Sequence, residues 1–279
     1  MSDPQEFVNK TVLVTGAGTG IGFACAQEFA LAGATVTLMG HLAKQIEPAA
    51  EKLRALVDAD RVRAIVGDVT VEGDLVKAVK LASRDGHLDI AIANAGSAVP
   101  GPLLLLSPES WHYTNTLNIT GTALTIKQAA LAMKARGGRI VTISSAAGTK
   151  VAKWMAPYST TKAAIEMLTR CAAVELAPFK IHVNCISPGW IKTEAIMAAF
   201  SEGLTRQVTH HTLLGDGALP KVIADGAVYL CGDRGAFVTG EVLCIGGGMH
   251  VSVGEDFVDL VTMIYGEKAI KECSGQTDE

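Results

Sequence analysis

Short runs of aliphatic and β-branched residues alternate with helical stretches along most of this chain, and that alternation leaves few folds open. Thr11-Val12-Leu13-Val14-Thr15, Thr35-Val36-Thr37-Leu38-Met39, Arg63-Ala64-Ile65-Val66 and Asp89-Ile90-Ala91-Ile92-Ala93 read as strands. Three more follow, from Arg139 to Ser144, from Ile181 to Ile186 and from Glu241 to Ile245. Helices are expected from about Ile21 to Ala32 and from about Ala43 to Val57. Strands this apolar, separated by helices, predict a parallel sheet covered on both faces. The expected class is α/β, a doubly wound parallel sheet of about seven strands with helices on both sides. No repeat, low-complexity stretch or linker interrupts it, so residues 1–279 read as one domain. Residues 190–215 are expected to form a lid and residues 249–279 a C-terminal extension. One helix is expected from Phe257 to Lys271, followed by a frayed end from Ser274 to Glu279.

Composition narrows the partners. The net charge is −4, from 24 basic and 28 acidic residues, with no long run of either sign. That excludes a nucleic-acid or anionic-membrane surface as the expected partner. No apolar stretch has the length of a bilayer span, and Met1 to Lys10 lacks the apolar segment of a signal peptide. Cys25, Cys171, Cys185, Cys231, Cys244 and Cys273 are scattered singly, without metal-ligand spacing. They read as small core residues in a reducing compartment, by default the cytoplasm.

Thr15-Gly16-Ala17-Gly18-Thr19-Gly20-Ile21-Gly22 closes the first strand and opens the first helix. Glycines there let the backbone turn sharply and approach a pyrophosphate, which the free helix N–H groups then hold. The spacing is GxxxGxG, not GxGxxG, but its place after the first strand favours a dinucleotide site and a Rossmann-type sheet over a ligand-free turn. Dinucleotide sites that take NAD usually carry an acid at the end of the second strand. This strand ends in Gly40-His41, with no acid between Gly33 and Glu47. The vacancy leaves room for a 2′-phosphate, with His41 and Lys44 available to contact it, so NADP is expected over NAD.

Tyr158 and Lys162 stand four residues apart, which on a helix places phenol and ammonium on one face. A fixed cation favours the phenolate and makes a phenol usable as an acid and base near neutral pH.

These residues together resemble the short-chain dehydrogenase/reductase family, from about Lys10 to Gly248. The likeness rests on ordered motifs: TGAGTGIG at Thr15–Gly22, Asp68-Val69, Asn94-Ala95-Gly96, Asn118, Ser145, Tyr158 with Lys162, and Pro188-Gly189. The resemblance implies an oxidoreductase using NADP or NAD. Tyr158 would be its general acid/base, and Lys162 would favour the phenolate and bind the nicotinamide ribose. Ser145 would hold the substrate oxygen, and Asn118, in the helix after the fourth strand, would position a relay water. Ser144 should face the other way from Ser145, because strand side chains alternate. By the same resemblance Gly16, Thr19, Gly20, Ile21 and Gly22 would cradle the phosphates. Asp68 and Val69 would meet the adenine, and Asn94 and Gly96 the cofactor floor. Pro188, Gly189, Ile191 and Thr193 would lie at the carboxamide end. Asn118, Asp68 and Ser145 each have a bland alternative as a polar helix residue or a cap, and their agreement favours the functional reading. The chain departs from the family at Ile245-Gly246-Gly247-Gly248, where an Asp often precedes the glycine pair.

The substrate region says least. Trp154, Met155, Trp190, Met197 and Phe200 suggest an apolar pocket, with lid packing as the alternative. An apolar secondary alcohol, cyclic or aromatic, and its ketone are the expected substrates. A 3-oxoacyl carrier-protein reductase is the second reading. Arg136 fits one basic position near its entrance, but Phe179 fills the other, beside Lys180. A non-catalytic cofactor-binding protein is the third reading. The family resemblance implies a homotetramer or homodimer, paired through the helices that carry Asn118 and Tyr158.

Overall fold

A computed structural model describes residues 5–251 and 258–273. Its centre is one seven-stranded parallel sheet in the order β3-β2-β1-β4-β5-β6-β7. The strands are β1 (Thr11–Thr15), β2 (Thr35–Gly40), β3 (Val62–Val66), β4 (Ile90–Ala93), β5 (Gly138–Ile143), β6 (Ile181–Pro188) and β7 (Val242–Ile245). The chain first builds outward from β1 to β3, then crosses back so that β4 pairs with the other side of β1. The carboxyl ends of β1 and β4 therefore diverge, and a crevice opens between the loops that follow them.

Strand alternation divides the core. Val12 and Val14 of β1 join one cluster and Leu13 joins the other. The first cluster packs beneath α1 (Gly20–Leu31), α2 (Ala43–Arg54) and α9 (Lys221–Cys231). The second packs beneath α3 (Glu72–Ala82), α5 (Gly121–Met133) and α6 (Ala156–Leu176). With helices on both faces the central strands β1, β2 and β4 are almost wholly buried, which is why they read as largely apolar runs. Among the described residues no helix is long and apolar enough to cross a membrane.

Four expectations change. Asn118 does not lie within an α-helix. It sits in a π-helical turn, Thr116–Thr120, between α4 (Pro108–Asn115) and α5. The second helix ends at Arg54, earlier than expected. β6 runs on to Pro188, because Ser187 and Pro188 still pair with β7. The expected single C-terminal helix is two, α10 (Val258–Tyr265) and α11 (Glu267–Cys273), broken at Gly266 with φ +83°. Phe257 and the stretch from Ser274 to Glu279 lie outside the described residues. The segment from 190 to 215 contains two short helices, α7 (Glu194–Ala199) and α8 (Glu202–His210).

Candidate active site

The glycine turn is closed by contacts that only glycine permits. A Cβ on Gly22 would overlap the Gly16 carbonyl, and Gly16 itself has φ +63°. Asn94, just past β4, clamps the turn. Its Nδ2 donates to the Thr15 and Gly16 carbonyls at 3.0 and 3.2 Å. The part these bonds give it is structural support of the turn. Thr19 caps α1 without any side-chain bond to the helix, so the first-turn N–H groups remain available to a ligand. Thr193 meets this turn from the other side: a Cβ on Gly20 would lie 3.1 Å from Thr193 Cγ2. The same Thr193 caps α7 through a bond from the Ile196 N–H at 3.3 Å, so the start of the 190–215 segment is anchored at the turn.

Gly16, Gly18, Thr19, Gly40, His41, Gln45, Asp68, Val69 and Gly96 line a cavity of about 810 Å³. α4 closes its far wall with Glu109, His112 and Tyr113, which sequence reading did not single out because α4 reaches the cleft only through the tertiary fold. Asp68 accepts from the Thr70 N–H and hydroxyl, both at 2.8 Å, which fixes its carboxylate at the rim. Ile21 is partly buried against the first core cluster, behind the phosphate cradle. Gly40 packs on Ile46 so tightly that a Cβ would lie 2.8 Å from Ile46 Cδ1.

Tyr158 and Lys162 lie on the first turns of α6, and the Lys162 ammonium is 5.4 Å from the Tyr158 ring centroid. Lys162 is buried, and its Nζ donates to the Ile143 carbonyl at the end of β5 over 2.8 Å. An ammonium has three donors, so two remain for other partners. Gly96 approaches the same group: a Cβ there would sit 3.6 Å from Lys162 Nζ and 3.0 Å from Asn118 Oδ1. Ser145 follows β5 and caps the turn Ala146–Gly148, its Oγ accepting from the Ala147 N–H at 3.2 Å. That leaves the hydroxyl hydrogen free to donate. Gly148 presses this turn onto α6, since a Cβ would lie 3.0 Å from the Ala163 nitrogen. Ser144 does face away, bonding the Lys162 carbonyl and Glu166.

Asn118 is more constrained than its expected role requires. Its oxygen accepts from the Ser97 N–H at 2.9 Å. Its amide donates to the Ser97 carbonyl at 2.8 Å and to Thr161 Oγ1 at 2.9 Å. Thr161 in turn donates to the Tyr158 carbonyl. Both amide hydrogens are thus spent on protein, and the side chain acts as a staple between the Gly96 loop and the Tyr158 helix. A π turn frees a backbone carbonyl from the helical pattern, so a relay water is better served by the backbone of this turn than by the amide.

Pro188 is buried at the end of β6, and the Gly189 and Gly246 backbones touch, with a Cβ on Gly189 only 2.5 Å from Gly246 Cα. Ile191 is buried and pairs with Ala218. At the departure from the family pattern, Ile245 packs on Gly226 of α9. Among the expected pocket residues, Met155 and Phe200 are partly exposed, and Met197 is exposed. Trp154 is exposed and held at φ +70°, a costly conformation for a bulky residue. Its carbonyl accepts from the Gly101 N–H at 2.8 Å, which ties two mouth loops together. Trp190 departs from the expectation of an open wall: it is 6% exposed, and its ring fills the space a Gly217 side chain would take. Arg136 and Lys180 adjoin the starts of β5 and β6, at the opposite edge of the sheet from Ser145 within one chain. The His210 and His211 rings lie 5.6 Å apart, and no group of residues that could hold a metal occurs among the described residues.

A family profile described as Enoyl-(Acyl carrier protein) reductase matches residues 16–250. The chain is 35% identical to cis-4-hydroxycyclohexanecarboxylate dehydrogenase of Sinomonas cyclohexanicum over 248 residues, covering 88% of this chain and 98% of that protein. It is 33% identical to the 3-oxoacyl-(acyl-carrier-protein) reductase of Aquifex aeolicus over 242 residues, covering 86% of this chain and 97% of that protein. Among solved structures, a 7α-hydroxysteroid dehydrogenase complexed with NADH and 7-oxo glycochenodeoxycholic acid superposes with a TM-score of 0.82 at 30% identity, covering 88% of this chain and 96% of that one. The sheet order, the glycine turn on β1, the Tyr158–Lys162 helix and these likenesses agree, and the chain belongs to the short-chain dehydrogenase/reductase family of oxidoreductases.

Proposed function

We propose that this chain interconverts an apolar, cyclic or aromatic secondary alcohol and its ketone with a nicotinamide dinucleotide. The observation that carries the reading is the convergence of Tyr158, Lys162 and Ser145 on one end of the sheet beside the glycine cradle. The cavity fits a dinucleotide on this chain's own terms: an uncapped helix N-terminus, a backbone-lined cradle and about 810 Å³ of space. When bound, the nicotinamide supplies or accepts the hydride. Gly16, Gly18 and Thr19 would hold the phosphates, Asp68 and Val69 the adenine, and Lys162 the ribose nearest the reacting carbon.

Tyr158 moves the proton. In ketone reduction its hydroxyl gives a proton to the substrate oxygen, and in alcohol oxidation its phenolate takes that proton. Lys162, one turn away and anchored on Ile143, favours the phenolate electrostatically. Ser145 donates its free hydroxyl hydrogen to the same substrate oxygen and stabilises charge as it develops there. The apolar rim of Trp154, Met155, Met197 and Phe200 supports an apolar substrate. Two relatives whose names specify ring alcohols or ring ketones support a cyclic one. We take NADP as the preferred cofactor, because no carboxylate follows β2 and His41 and Gln45 line that corner. The six free cysteines support a reducing compartment such as the cytoplasm. Exposed Met167, Cys171 and Val174 along α6, with Leu131 of α5, support pairing of two or four copies through these helices.

A screen of cyclic and aromatic alcohols, read by nicotinamide fluorescence with both cofactors, tests the reading. Turnover of ring alcohols without turnover of acetoacetyl thioesters is expected. Turnover of the thioesters alone would transfer the chain to the carrier-protein reductases.

A further inference from the structure

Glu166 lies one helical turn beyond Lys162 on α6, and it is 5% exposed. A buried carboxylate needs donors or a counter-charge to persist. Its Oε1 is 3.0 Å from Ser144 Oγ, and that hydroxyl is also 2.9 Å from the Lys162 carbonyl. One hydroxyl has one hydrogen. Helical bonding already supplies a donor to the Lys162 carbonyl, so the Ser144 hydrogen is available to the carboxylate.

The end of β5 therefore serves both charges with consecutive residues. The Ile143 carbonyl receives the Lys162 ammonium, and the Ser144 hydroxyl serves the Glu166 carboxylate. The other titratable groups facing Glu166 are thiols. Burial pushes the Cys185 thiol of β6 up to about 11, and this thiol feels both Glu166 and Lys162. Burial and then Glu166 raise the Cys244 thiol of β7. Neither thiol carries charge near neutral pH. Gly148 covers the carboxylate from the Ser145 turn, where a Cβ would lie 3.0 Å from Glu166 Oε1.

We propose that Glu166 is the counter-charge of Lys162 and sets, through it, the pH at which the Tyr158 phenol ionises. It is a positioning residue, and the inference rests on Tyr158 being the acid/base group. The carboxylate partly offsets the ammonium and so holds the phenol in its protonated form to higher pH. Removing the negative charge leaves Lys162 unopposed and favours the phenolate.

Tyrosinate absorbance in the near ultraviolet, titrated against pH, reads this without any substrate. Wild type minus Tyr158→Phe isolates one of the 4 tyrosines. A directly contacting charge moves such a midpoint by about 1–3 units, and Glu166 stands about two helical turns from Tyr158, so a smaller fall of about 0.5 unit is expected in Glu166→Gln. Glu166→Met, apolar and similar in length, is expected to give the same fall, and it guards against failure of the amide variant to fold. Glu166→Asp keeps the charge and is expected to stay near wild type. A midpoint unmoved in both uncharged variants overturns the proposal. Full turnover by Tyr158→Phe instead overturns the acid/base reading beneath it, so the two failures are distinguishable.

Discussion

Asn118 is the residue whose removal the geometry predicts most fully. It is fully buried, and its three bonds join the Gly96 loop to the Tyr158 helix. Asn118→Ala leaves the Ser97 N–H and carbonyl without partners. Each orphaned buried group costs about 1–3 kcal/mol, and because Ser97 is only partly buried the lower end applies, about 2–3 kcal/mol for the pair. Thr161 keeps its bond to the Tyr158 carbonyl and adds little. Lost packing raises the total to about 3 kcal/mol. In a domain of this size, melting should fall by about 6–12 °C. Turnover should fall by about 10- to 100-fold, because the loop beside Lys162 loses its tether. Thermal melting by circular dichroism checks the first figure. A change under about 2 °C would contradict the role given to the staple.

A second substitution separates packing from charge. Asn118→Asp keeps the acceptor for the Ser97 N–H but replaces two donors with a carboxylate. Oδ1 and Lys162 Nζ flank one point on Gly96, at 3.0 and 3.6 Å. A negative charge there offsets the ammonium and disfavours the phenolate. The pH midpoint of alcohol oxidation should therefore rise, by about 1 unit, whereas Asn118→Ala should leave it in place. Coincident midpoints for the two variants would refute the electrostatic half of the reasoning.

Tyr158→Phe should reduce turnover by about 1000-fold or more while cofactor binding, measured by nicotinamide fluorescence, stays near wild type. His41→Arg places a guanidinium at the corner of the cleft beside Gln45 and should raise kcat/KM for NADP by about tenfold over NAD; an unchanged ratio would remove this corner as the phosphate site. Gly22→Ala should leave no folded, cofactor-binding protein, because its methyl would overlap the Gly16 carbonyl and neither backbone can yield. Burial pushes the Cys25 thiol up to about 12 and Cys185 to about 11, and it raises the Cys231 thiol as well. Since only the thiolate reacts, titration of the native protein with a disulfide reagent at mildly alkaline pH should label exposed Cys273 and spare those three.

The sheet was legible because its central strands are buried on both faces and read as largely apolar runs. The π turn at Thr116–Thr120 was not, because its residues continue the helical composition on either side and only the hydrogen-bond spacing differs. Gly266 falls inside the stretch expected as one helix, and its φ of +83° separates α10 from α11. Tyr158, Lys162 and Ser145 were readable because their spacing is local or follows a recognisable strand. The burial of Trp190 against Gly217 was not readable, because Gly217 is remote in sequence and has no side chain to announce the contact.

The end of β5 shows how much a local rule reveals and where it stops. Alternation along a strand requires Ser144 and Ser145 to face opposite ways, and their bonds differ accordingly: Ser145 caps the turn that follows it and Ser144 reaches Lys162 and Glu166 on α6. Alternation cannot say what waits on the hidden side. Glu166 is visible in the sequence only as a carboxylate four residues past Lys162. Read alone, an i, i+4 lysine–glutamate pair is a surface contact of small value. Burial changes its meaning, because the same pair in a low-dielectric pocket must be held by specific donors and acts on whatever titrates nearby. Ile143 thus presents a carbonyl to the Lys162 ammonium and Ser144 a hydroxyl to Glu166, and in the proposed function Ser145 offers its hydroxyl to the substrate oxygen. The catalytic pair is therefore set by the strand that faces it as much as by the helix that carries it.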